Sequence, residues 1–100
     1  MEHQIKRQGE RLLISFSGRI DQQQVSEFKM PLAMAEASRA PEVVLDFSAV
    51  SYIGSMGIAV MVQFYKGITA RGGRMSLVNL SPNIAEMFRA LKLHQFFNLA

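Results

Sequence analysis

The chain has no cysteine. That excludes disulfides, thiolate metal sites and cysteine catalysis, and it agrees with a cytosolic protein. Histidine and aspartate are scarce: only His3 and His94, and only Asp21 and Asp46. The histidines sit near the two ends without an orienting partner, so a Ser-His-Asp triad is not expected. These four residues also lack the clustered spacing of a metal site. No apolar run approaches the roughly 20 residues a membrane span needs. The start, Met1 to Arg7, has no apolar core of the kind a signal peptide carries. Repeats, linkers and low-complexity segments are absent too. The net charge is +3, but the basic residues are scattered and no stripe of them interleaves with aromatics. The expectation is a solvated surface and no direct nucleic-acid partner.

What is present is the material for one small domain over residues 1–100. The composition is 49% hydrophobic and 19% charged, enough to build a core and too apolar for disorder. Gln4 to Lys6 and Arg11 to Ser17 read as two strands around a hairpin turn at Gly9. Gly18-Arg19-Ile20-Asp21 then leads out of the sheet. Gln22 to Arg39 is broadly helical, with Val25, Phe28, Leu32 and Ala35 on one face. Pro31 conflicts with an unbroken helix, because proline has no N–H and clashes with the preceding turn. Either the helix kinks there, or it begins afresh with Pro31 in its first turn. Val43 to Phe47 is the next strand; its unbroken apolar run suits a central position covered on both faces. Ile58, Met61, Val62, Tyr65 and Ile68 mark a second helix, closed by Gly72-Gly73. Met75 to Leu80 is another strand. Ser81-Pro82 opens a third helix with Ile84, Met87, Phe88 and Leu91 facing inward. Phe96-Phe97 suggests a last short edge strand. This alternation implies an α/β fold.

The chemically suggestive residue is Ser55, in Ile53-Gly54-Ser55-Met56-Gly57-Ile58. Its hydroxyl lies between two glycines where a loop becomes a helix. Such a helix start offers unpaired N–H groups and partial positive charge, favourable for a phosphoryl group. The spacing is not G-x-S-x-G, and no Lys-Ser or Lys-Thr follows Gly57, so neither a hydrolase elbow nor a phosphate-cradling NTPase loop is expected. On the residues alone, Ser55 is either a plain helix cap or a phosphorylation site. Asp21 and Asp46 each follow an apolar residue at or near a strand end. In open α/β sheets sites gather beyond the carboxyl ends of strands, so both carboxylates are candidates for the surroundings of Ser55; the plainer alternative is that they cap turns.

The stretch Val43 to Gly57, with Leu45-Asp46-Phe47-Ser48 and Ile53-Gly54-Ser55-Met56-Gly57-Ile58, resembles the STAS domain of bacterial anti-sigma-factor antagonists. Gly18-Arg19-Ile20-Asp21 is similar to that family's G-x-L-D exit from the second strand. Leu91 to Phe97 is similar to its closing segment. The resemblance covers essentially the whole chain and implies a STAS-like mixed sheet of about four to five strands flanked by helices. It also implies a cytoplasmic partner-switching module in signal transduction and transcription regulation, not an enzyme and without a cofactor. In the family the serine is phosphorylated by a partner kinase that is also an anti-sigma factor or a related regulator, and a serine phosphatase reverses it. Ser55 matches that serine, with Ser48 and Ser51 as nearby rivals. Asp21 and Asp46 match acidic residues near the site. The expected partner surface comprises Asp21, Gln22, Gln23, Asp46, Ser48, Ile53, Gly54, Met56 and Gly57. One departure is plain: the family commonly has Asp before the serine, and here that position is Gly54. The alternative within the resemblance is an unphosphorylated structural subunit, for example one steadying an ATPase of a lipid transport complex.

Overall fold

The computed structural model describes residues 1–95 and 97–99, the last two by their backbone. The chain opens with an antiparallel hairpin, β1 (Glu2–Gln8) and β2 (Arg11–Ile20), turned at Gly9, whose φ of +66° suits glycine. A 3-10 turn, Gln22–Gln24, leads into α1 (Val25–Ser38). Then follow β3 (Glu42–Ile53), α2 (Ser55–Ala70), β4 (Arg74–Val78) and α3 (Pro82–Ala90). A 3-10 turn at Leu93–Gln95 precedes a two-residue strand, β5 (Asn98–Leu99). The strands form one mixed sheet in the order β1-β2-β3-β4-β5, in which every pair after the first is parallel.

Each step from β2 to β5 moves in the same direction across the sheet through a helix. Right-handed crossovers therefore place all three helices on one face. The burial agrees. Leu12, Ile14 and Phe16 of β2, Val43, Leu45 and Phe47 of β3, and Leu77 of β4 join the inward residues of the helices in a single core. Phe16 stands edge-on to Phe28 of α1 at 5.0 Å and to Phe47 at 5.7 Å, a favourable geometry for ring quadrupoles. On the opposite face, Leu13, Ser15, Asp46, Ser76 and Val78 are half-buried. Val44 is buried among such neighbours but stands outside the core cluster. The expectation that β3 is covered on both faces is thus corrected: helices cover one face, and flanking side chains shelter Val44 on the other.

Several boundaries differ from the sequence reading for identifiable reasons. Pro31 neither starts a helix nor breaks one; α1 runs through it, and its ring is buried beside Leu32. Burial of that apolar ring offsets part of the cost of the missing hydrogen bond. Gly18 to Ile20 remain in β2 instead of leaving the sheet, and Ser48 to Ile53 remain in β3 instead of forming a loop. Two irregularities in the β2–β3 register make this possible. Ser15 and Ser17 face Asp46 and Ala49, while Gly18 and Arg19 face Val50 and Tyr52, so β3 carries an extra residue at each place. The exposed Ser48, Ala49 and Ser51 hide the strand by breaking its apolar pattern. The inward face of α2 centres on Gly57, Met61, Phe64 and Ile68. Ile58, Val62 and Tyr65 lie on its half-buried flanks, and Phe64 is an addition to the expected set. Leu91, expected to face inward, follows the end of α3 and is exposed. Among the described residues the last strand is Asn98–Leu99; Phe97, expected in it, fills the core beside Phe88, and Phe96 lies outside the described residues.

Candidate functional site

β4 ends at Val78, opposite Asp46. β2 and β3 continue past that point as a two-stranded ribbon, paired as far as Ile20 and Ile53. The Gly54 N–H donates to the Ile20 carbonyl at 2.8 Å and extends the pairing by one residue. The chain then turns directly into α2. The ribbon tip, the Asp21 turn and the start of α2 enclose an open cleft of about 470 Å³, lined by Asp21, Gln22, Gln23, Tyr52, Gly54, Ser55 and Met56.

Helix α2 begins at Ser55, three residues earlier than its apolar pattern indicates. The N-cap residue is Gly54 in extended conformation, and no side chain caps the helix. Ser55 is therefore the first helical residue, so the plain-cap reading is set aside on geometry. Its side chain is exposed, as is that of Met56, while the first-turn N–H groups have no side-chain acceptor. The geometry leaves an exposed hydroxyl beside the positive end of a helix of 16 residues.

Gly57 and Ile53 do not share that exposure; both are buried. A Cβ on Gly57 would stand 3.0 Å from Ile20 Cγ2 and from Ile53 Cγ1. Gly57 thus lets α2 press against the ribbon and fixes the height of Ser55. These two residues support the cleft from beneath and do not line it.

Asp21 is both a cap and a cleft residue. Its Oδ1 accepts from the Gln23 N–H at 3.1 Å, and its own N–H donates to Gln24 Oε1 at 3.2 Å, a reciprocal capping box. Its Oδ2 lies 3.7 Å from Arg19 Nε. Asp46 is elsewhere. It faces Val78, roughly 20 Å from Ile53 at a strand's rise per residue. Its Oδ1 accepts from the Ser48 N–H at 2.9 Å and from Asn79 Nδ2 at 3.2 Å. Asp46 holds the bulge after Phe47 to the end of β4. The expectation that both carboxylates surround Ser55 is corrected accordingly: Asp21 does, whereas Asp46 and Ser48 lie far down the sheet.

Two residues of the site escaped sequence reasoning. Tyr52 lines the cleft, and its hydroxyl lies 3.4 Å from where a Cβ on Gly54 would be. Arg19 faces Tyr52 across the ribbon, and its guanidinium lies 4.4 Å from the ring centroid. Only the register, with its two irregularities, brings them opposite one another.

Comparison with known proteins places this fold among relatives. The STAS domain family model matches residues 2–100. A putative anti-sigma factor antagonist from Thermotoga maritima superposes with a TM-score of 0.90 at 17% identity, over 97% of this chain and 84% of that one. An anti-sigma factor antagonist from Mycobacterium paratuberculosis gives 0.89 at 22% identity, over 98% and 83%. The Bacillus cell-fate determinant SpoIIAA in its phosphorylated form gives 0.75 at 22% identity, over 99% and 91%. At these identities the superpositions establish a shared fold.

Proposed function

The chain belongs to the STAS domain family, and on that premise we propose that it is a regulatory binding module of the anti-sigma-factor antagonist type, switched by phosphorylation of Ser55. The observation that carries the proposal is the exposed Ser55 hydroxyl on the first residue of an uncapped helix, in the wall of an open cleft. The module itself catalyses nothing. A partner serine kinase, which is also the anti-sigma factor, brings the nucleotide, and a serine phosphatase resets the site. The reaction takes place in the cytoplasm. The docking surface is the rim of the cleft: Asp21, Gln22, Gln23, Tyr52, Gly54 and Met56 around Ser55.

The physics of the switch is direct. Phosphoserine carries roughly −1.5 to −2 charges near neutral pH. At the start of α2 this charge meets partial positive charge and leaves the fold intact. In a packed interface the same charge repels acidic groups and resists desolvation, which weakens binding by about a hundredfold or more. Incubation with ATP and candidate partner kinases, followed by intact mass and phosphopeptide mapping, tests this. One phosphate on Ser55 is expected. Phosphate on Ser48 or Ser51, which stand exposed on β3, overturns the assignment, as does none with an active kinase. Gly54, where the family commonly has Asp, favours a second reading as a structural subunit. A stable complex with a transporter ATPase and no phosphate supports that reading.

A further inference from the structure

We infer that Arg19 is the internal receiver of a phosphate on Ser55: the added charge draws the guanidinium away from Asp21 and off the Tyr52 ring, and so remodels the wall of the cleft. The inference rests on the proposed modification of Ser55. Arg19 has two anchors, the Tyr52 ring at 4.4 Å and Asp21 Oδ2 at 3.7 Å. Both anchors are walls of the cleft that Ser55 also lines. Neither holds it firmly. The Arg19 side chain is 61% exposed, and its contact with Asp21 is an ion pair longer than a hydrogen bond. Exposed ion pairs and exposed cation–π contacts are weak.

A phosphate on Ser55 offers more than either anchor. It carries up to twice the charge of a carboxylate, and its three acceptor oxygens match the guanidinium fork. The way is open. Gly54, the residue between Tyr52's neighbour Ile53 and Ser55, presents no side chain, and the Tyr52 hydroxyl stands 3.4 Å from where a Cβ on Gly54 would be. The proposed move is a rotation of the Arg19 side chain within the ribbon as it stands. The titratable side chains facing the position are Asp21 and Tyr52 in the cleft, with Arg19 stacked beside them. Asp21 is the group that competes for the guanidinium. When Arg19 leaves, the Tyr52 ring loses its cover and Asp21 loses its counter-charge. A partner then meets a cleft changed in shape as well as in charge.

The test needs no kinase. Phosphoserine is installed at position 55 during synthesis by an expanded genetic code, and the phosphate is titrated by phosphorus-31 NMR at low salt. Arg19→Gln is expected to raise the midpoint of the second ionisation by roughly 0.15–0.7 pH units relative to the parent, the range that exposed charge pairs give. Arg19→Lys, which keeps the charge but loses the planar fork, is expected to fall between them. Arg11→Gln, altered at the opposite end of β2 where Arg11 pairs with Glu42, is expected to match the parent. The Arg19 Nε resonance should move with the phosphate titration. An Arg19→Gln curve that superimposes on the parent, with an unchanged amide spectrum, overturns the inference. That result leaves phosphorylation of Ser55 standing, and a kinase that ignores Ser55 leaves this titration readable.

Discussion

Two glycines of α2 look alike in sequence but face different neighbours. A Cβ on Gly57 meets Ile20 and Ile53, both buried, at 3.0 Å. A Cβ on Gly67 meets Glu36 Oε1 at 2.6 Å, the end of a flexible side chain. Alanine in place of glycine favours a helix interior by about 1 kcal/mol. Crowding in a packed core costs about 1–3 kcal/mol, because Ile20 and Ile53 have little room to move. Gly57→Ala is therefore expected to destabilise the domain by up to about 2 kcal/mol, while Gly67→Ala is neutral or stabilising because Glu36 can swing aside. Urea denaturation of both variants checks this; equal effects would mean that α2 does not rest on the ribbon through Gly57. The same residue scale applies to Ser55. Ser55→Ala removes no cap, so in the same urea titration it is expected to keep the parent's stability within about 0.5 kcal/mol.

Capping chemistry distinguishes the helices. α3 carries the Ser81 cap, whose hydroxyl oxygen accepts from the Ile84 N–H at 3.3 Å, and Pro82 stands at its first position. Ser81→Ala should cost about 1 kcal/mol, read as a lowered urea midpoint with an unchanged slope. A null effect would mean that water replaces the hydroxyl without loss. α3 was legible in the sequence because Ser-Pro is a local signal. The inner residues of α1 were legible through their spacing, and β3 through Val43-Val44-Leu45. The far half of β3 was not, since its exposed serines erase the apolar pattern and its register depends on β2. The start of α2 was legible to within a residue from the glycines around Ser55, but its cap was not: Gly54, which has no capping side chain, holds that place. In the cleft, Ser55, Asp21 and Met56 were legible as local features, whereas Arg19 and Tyr52 meet only through strand pairing. Asp46 misled because Leu45-Asp46 looks like a strand end but lies mid-strand beside a bulge.

At the scale of the whole molecule, one core on one face of the sheet carries the fold. Leu45 points into that core, and Val44 points to the opposite face. Leu45→Asp is expected to cost more than about 4 kcal/mol and unfold most of the protein, while Val44→Asp costs about 1–3 kcal/mol and leaves a cooperative transition. Equal losses in thermal and urea unfolding would mean that both faces of β3 are closed. The open end of this arrangement is the ribbon tip, where β2 and β3 outrun β4 and deliver the Asp21 turn and Ser55 to one cleft. Among the described residues, no helix is long and apolar enough to cross a membrane. The central claim is that a charge on Ser55 governs binding at this cleft without disturbing the fold. It is tested most directly by titrating a partner kinase, without ATP, into three isotope-labelled proteins: the parent, Ser55→Ala and the form bearing phosphoserine at position 55. The parent and Ser55→Ala should bind alike, with amide shifts centred on Gln22, Gln23, Tyr52, Ser55 and Met56, and the phosphorylated form should keep its folded spectrum but bind at least about a hundredfold more weakly. Equal affinity of the phosphorylated form, or shifts confined to α3, would contradict the claim.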